Sequence, residues 1–231
     1  MALEFETILT GDNAQLIIDG LYVTLKLAVG SWSFAMILAL LLLVVRLTEN
    51  RYAGWVVSAY VSYHRNVPTL IQLMMWYFAI PTLLPTSIQD WINNSNAEFI
   101  FSLIALSLCQ AAYFSEDIRS GLRAIPNGQN EAARALGMSY IRSLKYVILP
   151  QGIRNSLPAI INHTVLLFKN TSLAMVIGVA DLTYATRDIE NRTFLTFESY
   201  LIATVGYLVF SLMLMGIGAL LSRHFQRVYA R

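Results

Sequence analysis

The residues able to do chemistry in this chain are few, and none is arranged for covalent catalysis. His64, His163 and His224 fall in separate segments with no nucleophile or metal-ligand spacing beside them. The single cysteine, Cys109, lies in an apolar run and has no second cysteine to pair with. A G-x-x-x-x-G-K-[ST] phosphate loop is missing, so the chain lacks the usual cradle for ATP. What is left is recognition by hydrogen bonds and charge, and it concentrates in residues 153–179. There His163 and Asn170 stand seven residues apart, nearly two helical turns, on one stripe with Leu167 and Ala174. Asn162 and Lys169 repeat the spacing about 100° around the same helix. Asn can donate or accept, and His donates in either protonation state. In the preceding apolar segment Gln110, Tyr113, Glu116 and Arg119 recur every three residues. Glu116 and Arg119, at i and i+3, neutralise each other and read as a tie from this helix to the connector that follows it. Further back, Gln72 is a candidate lining residue, and Tyr77 reads as core packing.

The elements that hold these residues belong in a bilayer. Of the 231 residues 56% are hydrophobic and 13% charged, against about 25% charged in a soluble domain. Stretches of about 20 apolar residues, enough to cross about 30 Å of hydrocarbon, cover residues 21–45, 55–84, 99–122 and 200–221. A fifth, 153–179, is apolar enough to span but carries Pro158, Asn162, His163, Lys169, Asn170, Thr171 and Ser172. Backbone in lipid must satisfy its own hydrogen bonds, so the expectation is an all-α membrane protein of five spans in one domain, 1–231. Polar groups at that depth face the bundle or a wet cavity, since a charge turned to lipid costs roughly 2.5 kcal/mol or more.

Charge distribution orients the spans. Arg46, Arg51 and Arg65, then Arg119, Arg123, Arg134, Arg142, Lys145 and Arg154, then Arg223, Arg227 and Arg231 fall on alternate connections, which should be cytoplasmic. Segments 81–98 and 180–198 carry only Arg187 and Arg192 as cations against six carboxylates. The N-terminus is therefore expected outside and the C-terminus inside. Glu4, Glu6, Asp12 and Asp19, with no Lys or Arg among the first twenty residues, reverse the pattern of a secretory signal. A net charge of +2 gives no reason to expect nucleic acid.

The connector 126–150 has structure of its own. After Pro126, Asn127-Gly128 reads as a turn and a short helix runs over 129–136, stopped by Gly137 as C′ residue. Ser139 caps a second helix expected to end before Leu149-Pro150. Ala132, Ala135 and Leu136 make a narrow apolar stripe fit to enter a groove on a partner.

Glu131-Ala132-Ala133, three residues, Gly137, nine residues, then Val147-Ile148-Leu149-Pro150 resembles the EAA loop of permease subunits of bacterial ABC importers, with Val147 in place of the usual Ile. Gly20-Leu21-Tyr22-Val23-Thr24-Leu25, the Arg65 to Gln72 stretch with Pro68, Ala112-Tyr113 followed by Glu116, Arg119 and Gly121, and Lys169-Asn170-Thr171-Ser172-Leu173 are similar to motifs of the polar amino-acid permeases of that class. The resemblance implies an inner-membrane, multi-pass subunit of the type I importer fold that works by alternating access. It implies a second permease subunit, identical or paralogous, two ATPase subunits that carry ATP and Mg, and a periplasmic amino-acid-binding protein. Glu131, Ala132, Ala133, Leu136 and Gly137 would then form the coupling helix received by the ATPase. Substrate would meet His163, Asn170, Lys169, Gln72, Asn162 and Gln110. Relatives that carry basic amino acids tend to place carboxylates on the His163 and Asn170 face, and here neither position is acidic. Glutamate, aspartate or glutamine is expected ahead of lysine or arginine. An ion-coupled secondary transporter is the alternative. It needs an intramembrane carboxylate, and Glu116 and Asp117, the only ones in the spans, lie near one end.

Overall fold

A computed structural model describes residues 3–48 and 50–228, with the side chains of residues 93 and 226–228 left undescribed. Of the tail cations, Arg231 and the Arg227 side chain thus lie outside the described residues. Helix follows helix throughout: α1 (Phe5–Leu9), α2 (Gly11–Leu47), α3 (Arg51–Asn66), α4 (Thr69–Met74), α5 (Thr86–Asn93), α6 (Ala97–Arg123), α7 (Asn127–Ala135), α8 (Tyr140–Ser143), α9 (Leu149–Asn170), α10 (Leu182–Thr193) and α11 (Thr196–Val228). Among the described residues four helical stretches are long and apolar enough to cross a membrane: Gly11–Leu47, Ala97–Arg123, Tyr140–Ile177 and Thr196–Phe225.

The single helix expected over 55–84 is broken. Val67 is extended (φ −93°, ψ 130°) between α3 and α4, because the Pro68 ring disfavours a helical residue before it. Pro68 also has no N–H to give to the carbonyl of His64, four residues back. Gln72 fills that gap: its Nε2 donates to the carbonyls of His64 (3.1 Å) and Val67 (2.8 Å). Its Oε1 accepts from Cys109 Sγ (2.9 Å) and faces His64 Nδ1 at 2.5 Å, which requires the proton on Nδ1. Beyond the break, α4 continues through a π turn (Met75–Ala79) and a 3-10 turn (Ile80–Leu83), so the apolar helix Thr69–Leu83 is only about 22 Å long.

The stop expected at Leu149-Pro150 does not occur. Ser139 does cap α8, accepting from the N–H of Arg142. A π turn over Leu144–Ile148 then widens the backbone just before Pro150, whose missing N–H falls in the first turn of α9, and the helix runs on. It tightens to 3-10 over Thr171–Ile177 and ends at Gly178, in the left-handed region at φ +95°.

The core is built from small side chains. The buried positions of α2, Gly20, Thr24, Leu27, Ser31, Ala35, Ala39 and Leu43, form one stripe spaced by three or four residues. Against it lies α6, which also packs on α9. At Gly20 an added Cβ would sit 2.8 Å from the Asp181 carbonyl, and Thr24 Oγ1 accepts from the Leu182 N–H at 3.0 Å, which docks α10 on α2. At Gly121 a Cβ would lie 2.5 Å from the Gly152 carbonyl and 2.7 Å from the Ser156 nitrogen, so α6 and α9 touch backbone to backbone. Gly121→Ala should therefore force α6 and α9 apart and lower stability by about 1–3 kcal/mol, read as thermal unfolding in detergent.

Candidate functional site

One turn from that contact, His163 Nδ1 on α9 lies 2.6 Å from Asp117 Oδ2 on α6. Asp117 is buried and His163 half-buried. The Tyr113 ring stacks on His163 with centroids 4.9 Å apart, and the Arg65 guanidinium lies 5.5 Å above Tyr113. Next along α9, Thr164 accepts from the Trp32 indole at 2.9 Å and so ties α2 to the same place.

This pair corrects the reading of the His163 face as free of negative charge: the carboxylate comes from the neighbouring helix. The signal was in the sequence. Gln110, Tyr113 and Asp117, at i, i+3 and i+7, share a tighter stripe than the three-residue repeat ending at Glu116 and Arg119. Glu116 points elsewhere, bonded to Arg119 and at 2.7 Å to Arg46. It therefore ties α6 to the end of α2 and not to the connector.

The other candidates separate into three groups. Leu167 and Ala174 are buried and Asn170 half-buried, so the His163–Asn170 stripe faces the bundle. Antiparallel register then carries Gln110, about 10 Å along α6 from Asp117, level with Asn170, about 10 Å along α9 from His163. Gln110 is 3% exposed and its Nε2 has no partner among the described residues, a donor left for a ligand or water. Asn162 and Lys169 are exposed on the other face. Gln72, 0% exposed, has both amide hydrogens and its oxygen engaged within the chain, so it is the lock of the broken helix and offers a ligand nothing. Beside Asp117 opens a cavity of about 360 Å³ lined by Arg65, Glu116, Asp117, Arg119, Ser120 and Arg123, cationic on balance.

At the end of the bundle where α2 and α6 finish, α7 forms a rigid platform. The expected helix 129–136 is found as Asn127–Ala135. It closes in a Schellman motif, with the Gly137 N–H on the Arg134 carbonyl (2.9 Å), the Met138 N–H on that of Ala133 (3.1 Å) and Gly137 at φ +79°. Ala133 is 4% exposed, and Ser143 donates to Asn130 Oδ1 at 2.9 Å, which clamps α7 to α8. Glu131, Ala132, Ala135 and Leu136 turn outward, Leu136 at 80% exposure.

A polar seam inside an apolar bundle, with a clamped helix at one end, fits a membrane permease. The family model of the binding-protein-dependent transport system inner membrane component matches residues 33–227, and the chain belongs to that family, the permease subunits of ABC importers. Such subunits are not enzymes, and ATP hydrolysis resides in a separate subunit. Among relatives, the arginine transport system permease protein ArtQ of Bacillus subtilis is 37% identical over 90% of this chain and 91% of that protein. The glutamate/aspartate import permease protein GltK of Escherichia coli O6:H1 is 34% identical over 85% and 87%. A crystal structure of an amino acid ABC transporter with histidines superposes with a TM-score of 0.85 at 31% identity, over 97% of this chain and 100% of its own. The methionine transporter MetNI shares the fold, with a TM-score of 0.71 at 17% identity.

Removing one member of the Asp117–His163 pair strands the other. Asp117→Ala and His163→Ala should each destabilise more than half as much as the double variant, with a coupling energy of about 0.5–3 kcal/mol in a thermal-unfolding cycle; strict additivity would mean that the two do not interact.

Proposed function

We propose that this chain is the membrane subunit of an inner-membrane importer for an acidic or amide amino acid, glutamate, aspartate or glutamine, driven by ATP bound with Mg on partner subunits. The observation that carries the substrate class is the Asp117–His163 pair. His163 takes Asp117 Oδ2, and the adjoining cavity sets Arg65, Arg119 and Arg123 against Asp117 and Glu116, three cations to two carboxylates. A substrate carboxylate gains there what a guanidinium or ammonium would lose. Asn170 and the unpartnered amide of Gln110 supply neutral donors one level further along. Relatives named for glutamate/aspartate and for glutamine agree with this reading, and the arginine relative differs from it.

Five crossings fit the chain if the broken Thr69–Leu83 segment counts as a short crossing held inside the bundle, with α3 at the inner face. The charge bias then puts the N-terminus outside and α7 in the cytoplasm. So few crossings cannot enclose a path alone, and a second permease, identical or paralogous, completes it. A periplasmic amino-acid-binding protein delivers substrate at the outer face. On the cytoplasmic side Glu131, Ala132 and Leu136 enter the ATPase groove, while Ala133 and Gly137 hold them in place and pass the movement to the seam where α6 and α9 meet.

Proteoliposomes holding the assembled importer test both halves. Labelled glutamate should enter in preference to lysine or arginine; the reverse order would overturn the substrate class. Gly137→Asp, which puts a side chain into a left-handed residue beside the docking face, should abolish uptake while the ATPase still turns over, and retained coupling would count against α7 as the lever.

A further inference from the structure

Arginines gather at the end of the bundle, and two of those beside the substrate cavity, Arg119 and Arg123, also line a second one. A cavity of about 530 Å³ opens where α2 and α6 finish, within the roughly 300–1,000 Å³ of small-molecule sites. Arg46, Arg51, Arg119 and Arg123 line it, with no carboxylate among the described residues. Glu116 lies behind the wall and is shared by Arg46 and Arg119. Arg51 rests on the face of Trp55 at 5.7 Å, and Arg123 makes no ion pair among the described residues. The Nε of Arg46 is buried with no hydrogen-bond partner among the described residues. The remaining wall is apolar, formed by Leu47 and Leu122 at the ends of two membrane-crossing helices.

We propose that this cavity binds the phosphate headgroup of an anionic phospholipid. Guanidinium forks match phosphate oxygens in pairs, and the arginines converge from α2, α6 and the first turn of α3. Leucines and a tryptophan at the same depth suit the glycerol and the first methylenes of the chains, and tryptophan favours the membrane boundary. A zwitterionic headgroup would bring an ammonium up against four guanidinium groups, so charge selects the anionic lipid. An adjoining cavity of about 500 Å³, lined by Arg65 and Tyr113 and sharing Arg46 and Arg119, runs from this site toward the Asp117–His163 pair. The headgroup would thus hold the arginine cluster together beside the seam. The inference rests on α2 and α6 crossing the bilayer and is independent of which amino acid is carried.

The test is native mass spectrometry of the assembled importer taken from phosphatidylcholine vesicles containing phosphatidylglycerol. The wild type should retain phosphatidylglycerol over phosphatidylcholine, and Arg51→Gln and Arg123→Gln should each reduce that retention about fivefold. Unfolding temperatures of the two variants, matched to the wild type, establish that they are folded. Unchanged retention in both variants overturns the proposal, as does displacement of the lipid by soluble glycerol phosphate or by glutamate at millimolar concentration, which would make the cavity a site for free anions. Because retention is read by mass, failure here and failure of glutamate uptake are separate results.

Discussion

The constraint on which the rest depends is the backbone-to-backbone contact of α6 with α9. Gly121 has no room for a Cβ against Gly152 and Ser156, so the two helices meet at one register. In a bilayer there is little hydrophobic drive between helices, and close packing of small residues with a few interhelical hydrogen bonds does the work instead. That register brings Asp117 to His163 and Gln110 level with Asn170. Slide either helix by a turn and Asp117 would lose its partner inside an apolar bundle, an arrangement too costly to persist. The contact and the pair therefore specify one another.

Two ends of the same helices do different work. Along the middle of the seam lie neutral donors and the hydrogen-bonded Asp117–His163 pair, which suits a path that must release what it binds. At the end, Glu116 joins Arg46 and Arg119 and fastens α6 to α2, and α7 is clamped by the Schellman motif and the Ser143–Asn130 hydrogen bond. A lever transmits force only if its own joints are stiff. On either side of α9 the same helix departs from α geometry, widening in a π turn at Leu144–Ile148 and tightening in a 3-10 stretch at Thr171–Ile177. Those are the places where a long helix can change shape without breaking.

Much of this was legible in the sequence because the patterns are local. Hydrophobic length located the apolar helices, and Gly137 and Ser139 announced the end of α7 and the start of α8 by turn chemistry alone. Three features were not legible, each for a non-local reason. Pro68 broke the expected span, and Gln72 proved to be the repair of that break through the carbonyls of His64 and Val67, with its oxygen held by Cys109, 37 residues away. Pro150 did not stop its helix, since a π turn beforehand absorbed the missing N–H. Asp117 was the third. Its neighbour Glu116 drew attention through the i, i+3 pairing with Arg119, but the face a helix residue shows to another helix depends on a register that no single stretch of sequence reveals. Gly121 and Gly152 carry that register, and they read as ordinary glycines until the helices are brought together.

The relation between the seam and selectivity is open to one direct measurement. His163→Glu would replace the hydrogen-bonded imidazole by a second carboxylate beside Asp117, with the rest of the seam unaltered. The ratio of labelled arginine to labelled glutamate uptake, measured in proteoliposomes for this variant and the wild-type importer, should rise by tenfold or more, on the order of 1.4 kcal/mol. A ratio that stays where it is in the wild type, with transport intact, would contradict the claim that the Asp117–His163 pair sets the charge of the path.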